Sequence, residues 1–175
     1  MAKLSWFSKL YWTHLAGPKS DKSLHRLLLD HSFNSILEIG IGTGERTQRV
    51  FKLLTPRDPQ ATIRYTVVDA FDSAPGHLTL KQAHKMLAEK GVKSTLVPGD
   101  LTAALARVGN SVGQHELIIA EGILDLSAPA QSLLTPWLKK VAHADCWLLC
   151  SAREGQSLTA IKVSELQVSS AKQAA

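Results

Sequence analysis

Cysteine is nearly absent from this chain. Cys146 and Cys150 are the only two in 175 residues, and both lie in an apolar stretch. No disulfide framework can organise the fold, and a reduced pair inside a cytoplasmic protein is expected. Four residues apart on a strand, they would share one side, which is a packing role. Long apolar runs are missing too, and nothing approaches the roughly 18 residues that a membrane span requires. The opening MAKLSWFSKLYWTHLAG is aromatic, but Lys3, Ser5, Ser8, Lys9 and His14 interrupt it. It therefore lacks the continuous apolar core of a secretory signal. Internal repeats, low-complexity tracts and linkers are also lacking. One domain over residues 20–168 is expected, preceded by an aromatic and basic helical segment (1–19) and followed by a frayed tail (169–175). A formal net charge of +5 is only a weak bias toward anionic partners.

What the chain does contain is an alternation of strand and helix signals. SLHRLLLDHSF (23–33) reads as a helix with Ser20 or Asp21 as its cap. SILEIG is a short apolar strand bounded by glycine. TGERTQRVFKLL (43–54) places Val50, Leu53 and Leu54 at helical spacing ahead of Pro56. TIRYTVVDA (62–70) is β-branched and aromatic, hence a second strand. GHLTLKQAHKMLAEKG (76–91) repeats Leu80, Ala83, Met86 and Leu87 and stops at a glycine, as helices commonly do. VKSTLVPGD, HELIIAEG (115–122) and DCWLLCSA supply the third, fourth and fifth strands. LTAALARVG and PAQSLLTPWLKKVAHA are the helices between them, the latter with Pro136 where it can divide the helix. SLTAIKVSEL reads as a sixth strand that follows without an intervening helix. Such an order implies βαβ crossovers and an α/β fold with a mainly parallel sheet. Ligands on these sheets bind at the carboxyl ends of the strands, near the switch point beside the first strand.

The stretch ILEIGIGTGERTQRV (36–50) lies at that place. Gly40, Gly42 and Gly44 let a ligand approach the main chain closely, where a strand turns into a helix and exposes backbone N–H groups. A dinucleotide fold asks for G-x-G-x-x-G, yet here the third glycine comes one residue early. Glu45 occupies the first helical turn, where a carboxylate would repel a pyrophosphate, and Glu38 adds a second negative charge just upstream. The loop suits a ligand bearing positive charge better than a diphosphate.

LEIGIGTG resembles the first motif of the class I S-adenosylmethionine-dependent methyltransferases: an acidic residue, a hydrophobic residue, then G-x-G-x-G. The resemblance continues in register over roughly residues 20–151. It implies a three-layer Rossmann-like methyltransferase sheet, mainly parallel, with S-adenosyl-L-methionine as cofactor. In that family an acidic residue ending the second strand holds the ribose hydroxyls. YTVVDAFD supplies Asp69 there, with Asp72 as a second choice. LVPGDL supplies Asp100 to meet the adenine amino group, with Leu101 against the ring, and LIIAEG puts Glu121 near the transferred methyl. Glu38 would favour the amino-acid end of the cofactor through water. Each residue also has a purely structural alternative. Glu38 could cap a neighbouring helix, Asp69 and Asp72 could organise the turn around DSAPG, Asp100 is a fitting N-cap, and Glu121 could be a solvated loop residue.

The acceptor is less legible. The D/N-P-P-Y/F/W motif of amino-methylating DNA enzymes is replaced by EGILDL, and no cysteine is expected at a strand-end nucleophile position, which disfavours a covalent RNA-cytosine mechanism. No second and third metal ligand accompany Glu121, so metal dependence is not expected. Glu121, Asp125 and His14 are the candidate bases. In the N-terminal segment Leu4, Phe7, Leu10, Tyr11 and Leu15 share a helical face with Trp6 and Trp12 nearby. That segment reads as a core helix, a substrate lid or a membrane-surface helix. Two basic ridges stand out, His77, Lys81, His84 and Lys85 on one helix and Arg46, Arg49 and Lys52 on another. They are solvated surface or, alternatively, a docking face for RNA, although no aromatic residues interleave with them. Most family members add a helix and an antiparallel hairpin after the fifth strand, and only 24 residues follow Ser151 here. The sheet is therefore expected to be shortened after the fifth strand, with an exposed edge there that favours a homodimer. The leading expectation is methyl transfer to a small or medium-sized acceptor. The alternatives are an RNA or protein methyltransferase and a non-catalytic cofactor-binding subunit.

Overall fold

The computed structural model describes residues 10–12, 16–54, 62–72, 75–122, 131–153 and 155–166. Six strands form one sheet: β1 (Ser35–Ile39), β2 (Arg64–Asp69), β3 (Lys93–Pro98), β4 (His115–Ala120), β5 (Ala142–Cys150) and β6 (Thr159–Lys162). Their order across the sheet is β3-β2-β1-β4-β5-β6. The first five are parallel and β6 runs antiparallel to β5. The order reverses direction between β1 and β4, which opens a crevice at the carboxyl ends of those two strands. Among the described residues five α-helices flank the sheet: α1 (Lys22–Asp30), α2 (Glu45–Leu54), α3 (Leu80–Ala88), α4 (Leu101–Arg107) and α5 (Gln131–Val141).

The two faces of the sheet follow from side-chain alternation. Ile36, Tyr65, Val67, Leu117 and Ile119 meet Leu24, Leu28, Val50, Phe51, Leu53, Ala83 and Leu87 of α1, α2 and α3. Leu37, Ile39, Val68, Ile118, Ala120 and Leu148 meet Ala104, Leu105, Leu138 and Val141 of α4 and α5 on the opposite face. Every residue of β1 is buried, as expected of a central strand covered on both sides. Burial of each large aliphatic side chain contributes about 1.5–3 kcal/mol. Cys146 and Cys150 lie together in the second cluster, in the packing role read from their spacing, although Cys150 is the last residue of β5, a strand end where no cysteine was expected, and is buried there at 2% exposure.

Several local expectations are corrected. The first helix ends at Asp30, because His31 is extended, which frees Phe33 to pack in the core. Asp21 stands at its N-cap position but makes no side-chain cap bond. The helix expected from residue 76 begins at Leu80, where Thr79 and Gln82 form a reciprocal capping box. Pro136 lies inside α5 without dividing it. The fifth strand is not an edge: β6 pairs along Trp147 to Cys150 and covers it. The outer edge on that side belongs to a strand of four residues. Leu10 to Trp12 are helical, whereas the rest of the aromatic face expected in the first fifteen residues lies outside the described residues. No helix among the described residues is long and apolar enough to cross a membrane.

Candidate functional site

The glycine loop leaves β1 through three left-handed residues, Gly40 (φ 80°), Gly42 (φ 52°) and Gly44 (φ 78°). A side chain in that region is strained, which explains the residue type at each. Gly44 carries a second constraint. A Cβ there would lie 2.7 Å from Leu78 Cδ1 and 3.0 Å from Met86 Sδ, whereas one on Gly42 would meet nothing within 4 Å. Gly44 is thus fixed by packing, while Gly42 opens onto free space.

Four N–H groups of the loop already have acceptors. Gly40 N donates to Val68 O (2.8 Å) and Gly44 N to Ile41 O (2.9 Å). Ile41 N donates to Asp69 Oδ2 at 2.7 Å and Gly42 N to the same oxygen at 3.4 Å. Asp69 Oδ1 accepts from Phe71 N at 2.6 Å. Asp69, at the carboxyl end of β2, therefore ties the glycine loop to the following turn. There Phe71 and Asp72 both take left-handed φ values of 46° and 50°. Two successive non-glycine residues in that region store strain that the Asp69 contact helps to hold. Asp72 is exposed.

Glu38 is fully buried in β1 on the α2 side of the sheet. Its Oε2 accepts from Thr47 Oγ1 (2.6 Å) and from the Tyr65 hydroxyl (2.8 Å). It caps no helix. Its Oε1 has no hydrogen-bond partner. Burial raises the Glu38 carboxyl above its ordinary value, against the two hydroxyl hydrogen bonds and nearby Arg46. Burial, followed by the neighbouring Glu38 charge, raises Tyr65 well above the ordinary phenol value.

Asp100 is the N-cap of α4, where its Oδ1 accepts from Thr102 N (3.0 Å) and Ala103 N (3.2 Å). Leu101 follows, half-buried against the second apolar cluster. Glu121 is no solvated loop residue. Placed directly after β4, it accepts from the Arg46 guanidinium through Oε2 and from Gly155 N through Oε1 (2.9 Å). Asp125 and His14 lie outside the described residues.

Arg46 and Asp21 were not singled out as a site from the sequence. Arg46 Nε donates to Asp21 Oδ1 at 3.1 Å, while Arg49 gives Asp21 Oδ2 both Nε (3.0 Å) and Nη2 (2.8 Å). Asp21 is completely buried. Burial opposes the Arg46 charge, but Asp21 and Glu121 more than offset it and the guanidinium is held above its ordinary value. One signal was available. Arg46 is the second residue of α2, where the helix dipole disfavours a cation, so a dedicated acidic partner was to be expected. Two of the three cations in the Arg46, Arg49 and Lys52 ridge are thereby consumed by internal ion pairs. The other ridge, with Lys81, His84 and Lys85, faces solvent. Among the described residues no group of His, Cys, Asp or Glu side chains is placed to hold a metal ion.

Four acidic residues thus stand at or beside the carboxyl ends of the four adjacent strands β3, β2, β1 and β4, with the glycine loop between them. This chain superposes on the N-methyltransferase NodS from Bradyrhizobium japonicum WM9 with a TM-score of 0.53. The chain has the class I methyltransferase fold. Identity to NodS is 20%, with 84% of this chain and 78% of NodS covered. A second structure with this fold, cmcI-D160 Mg-SAM, gives a TM-score of 0.50 at 12% identity, over 77% of this chain and 52% of that one. The O-methyltransferase TomG from Streptomyces achromogenes, in complex with SAM, overlaps at a TM-score of 0.49 and 19% identity, over 73% of this chain and 51% of TomG. The chain therefore spans about half the length of two of these three proteins. No protein-family model and no curated protein matches the sequence. Among the described residues β6, antiparallel beside β5, is the last strand of the sheet.

Proposed function

We propose that this protein binds S-adenosyl-L-methionine at the carboxyl ends of β1 to β4 and transfers its methyl group to a small or medium-sized acceptor. The observation that carries the reading is the state of the glycine loop. The N–H groups of Gly40, Ile41, Gly42 and Gly44 all have acceptors, one of them the carboxylate of Asp69. A diphosphate lodged on this loop would find those four N–H groups taken and Glu45 in the first helical turn, whereas a ligand carrying a sulfonium and an ammonium needs neither. The surrounding donor set fits the same ligand: Glu38 retains an unpartnered buried oxygen, and a carboxylate suits a cation.

In this reading Gly40, Gly42, Gly44 and Glu38 receive the methionine end. Asp69, with Asp72 beside it, serves the ribose, and Asp100 and Leu101 serve the adenine. When bound, the cofactor supplies an electrophilic methyl carbon on sulfur. The protein's part is to hold donor and nucleophile in line, a contribution that needs no base when the nucleophile arrives unprotonated.

Calorimetric titration with S-adenosylmethionine and S-adenosylhomocysteine, with NAD as control, tests the proposal. Micromolar binding of the first two is expected. Preference for NAD, or binding of none, overturns it. Gly42→Val, whose side chain meets nothing within 4 Å but strains a left-handed φ, is expected to leave a somewhat destabilised but folded protein, checked by thermal melting, that no longer binds the cofactor.

A second reading is cofactor binding without transfer. It is favoured by Glu121, both of whose oxygens are already engaged, by Arg46 and by Gly155 N. Cofactor binding without turnover across O-, N- and S-acceptor panels would select it.

A further inference from the structure

Arg46 and Glu121 are joined in an unusual way. Each side chain divides its polar atoms between an anchor and its partner. Arg46 is anchored by Nε on Asp21 Oδ1 at 3.1 Å, and its terminal nitrogen reaches Glu121. Glu121 is anchored by Oε1 on Gly155 N at 2.9 Å, and its other oxygen meets Arg46. Neither residue needs the other to stay oriented. Nor would Asp21 be stranded by a small rotation of Arg46, because Arg49 donates to it through two nitrogens. The pair stands beside the carboxyl ends of β1 and β4, Arg46 in the first turn of α2 and Glu121 directly after β4, and is nearly buried, with side-chain exposures of 11% and 12%.

We propose that the Arg46–Glu121 pair opens to receive the two opposite charges of an α-amino acid group, Glu121 taking the ammonium and Arg46 the carboxylate. The inference rests on the cofactor reading above and deepens it, by naming the residues that select the intact amino-acid end. Its physical basis is charge exchange. A ligand that brings both charges replaces one internal ion pair with two external ones and leaves no partner bare. A ligand with an ammonium alone frees Glu121 from Arg46 but leaves the guanidinium short of an acceptor in a site with little access to water. A ligand with neither charge has nothing to exchange and leaves the pair closed. The device therefore discriminates against truncated nucleosides rather than merely adding affinity. It also assigns Glu121 to positioning instead of proton transfer.

The experiment is a cycle between protein and ligand. Wild type, Arg46→Met and Glu121→Gln are titrated calorimetrically with S-adenosylhomocysteine, decarboxylated S-adenosylmethionine and methylthioadenosine, and thermal melting checks the fold of each variant. Loss of a charge-assisted contact predicts that Arg46→Met weakens S-adenosylhomocysteine about 10-fold to 100-fold. Methylthioadenosine and the decarboxylated ligand should bind Arg46→Met no more weakly than wild type. Glu121→Gln should weaken both ligands that carry an ammonium and spare methylthioadenosine. If Arg46→Met does not fold, the Glu121→Gln column decides alone. Equal effects on all three ligands, or no effect on any, overturn the inference while leaving the cofactor reading intact. Failure of wild type to bind S-adenosylmethionine or S-adenosylhomocysteine overturns both.

Discussion

Replacing Asp69 separates its structural work from its role in binding. Its carboxylate accepts Ile41 N at 2.7 Å, Phe71 N at 2.6 Å and, more weakly, Gly42 N at 3.4 Å. Hydrogen bonds to a charged acceptor contribute about 1.5–3 kcal/mol each, and the two short ones carry most of the effect. Asp69 is only half-buried, so water takes over part of the lost bonding. Ile41, by contrast, is 4% exposed, so its N–H is left without a partner. Asp69→Ala is therefore expected to destabilise the ligand-free protein by about 2–4 kcal/mol, and each kcal/mol lowers the melting temperature of a chain this size by about 2–4 °C. Urea unfolding gives the free energy. Hydrogen exchange should show the largest loss of protection at the amides of Ile41 and Phe71, beyond the uniform loss that the lower global stability gives the rest of the sheet. Asp69→Asn keeps one oxygen but sets an amide donor against a backbone N–H, so it should recover little. An Asp69→Ala protein within about 0.5 kcal/mol of wild type, with both amides still protected, would refute the account. The same variant is expected to bind S-adenosylmethionine less tightly, by about 1.5–3 kcal/mol if ribose hydroxyls lose a charged acceptor. A 2′-deoxy cofactor that is weak on wild type but equal to the parent on Asp69→Ala would locate that loss at the ribose.

Three further outcomes are expected. His115 is fully buried between Thr66 Oγ1 (2.9 Å) and Val141 O (3.3 Å), and burial lowers it from 6.5 to about 4. The unfolded chain therefore takes up a proton first. Its contribution is intact above pH 6.5 and declines as the pH falls toward 4, by at most about 3–4 kcal/mol from the difference of about 2.5. Urea midpoints that stay flat across that window, relative to a His115→Gln control, would contradict this. Burial raises the Cys146 thiol to about 12 and the Cys150 thiol to about 11. Neither should react with a disulfide reagent at pH 8 until the protein unfolds, and rapid native labelling would count against the packing. Gly44→Ala should cost more than Gly42→Ala, by about 1–3 kcal/mol in urea titrations. Both strain a left-handed φ, but only Gly44 drives a Cβ into Leu78 and Met86. Equal costs would mean that Leu78 and Met86 move aside freely.

The alternation of elements, the parallel sheet and the position of the loop were legible in the chain alone, because each rests on local signals. β-branched runs such as TIRYTVVD, helical spacing as in RVFKLL, and the three glycines after SILEI all report on neighbours within a few residues. The acidic strand ends were legible for the same reason, since Glu38, Asp69, Asp100 and Glu121 each end or closely follow an apolar run. What those carboxylates touch was not. The partners of Glu121 stand 75 and 34 residues away at Arg46 and Gly155, and Asp21 finds Arg46 across 25 residues. Spacing made Arg46 and Arg49 look like surface, and left Asp69 as either a ribose acceptor or an organiser of the following turn, with its bonds to the glycine loop unseen. Only the tertiary structure turned the arginines inward onto a buried Asp21 and laid the glycine loop on Asp69. Whether a charge is solvated, paired or orphaned depends on what buries it and on which distant groups are brought within about 3 Å, and no local pattern carries that information.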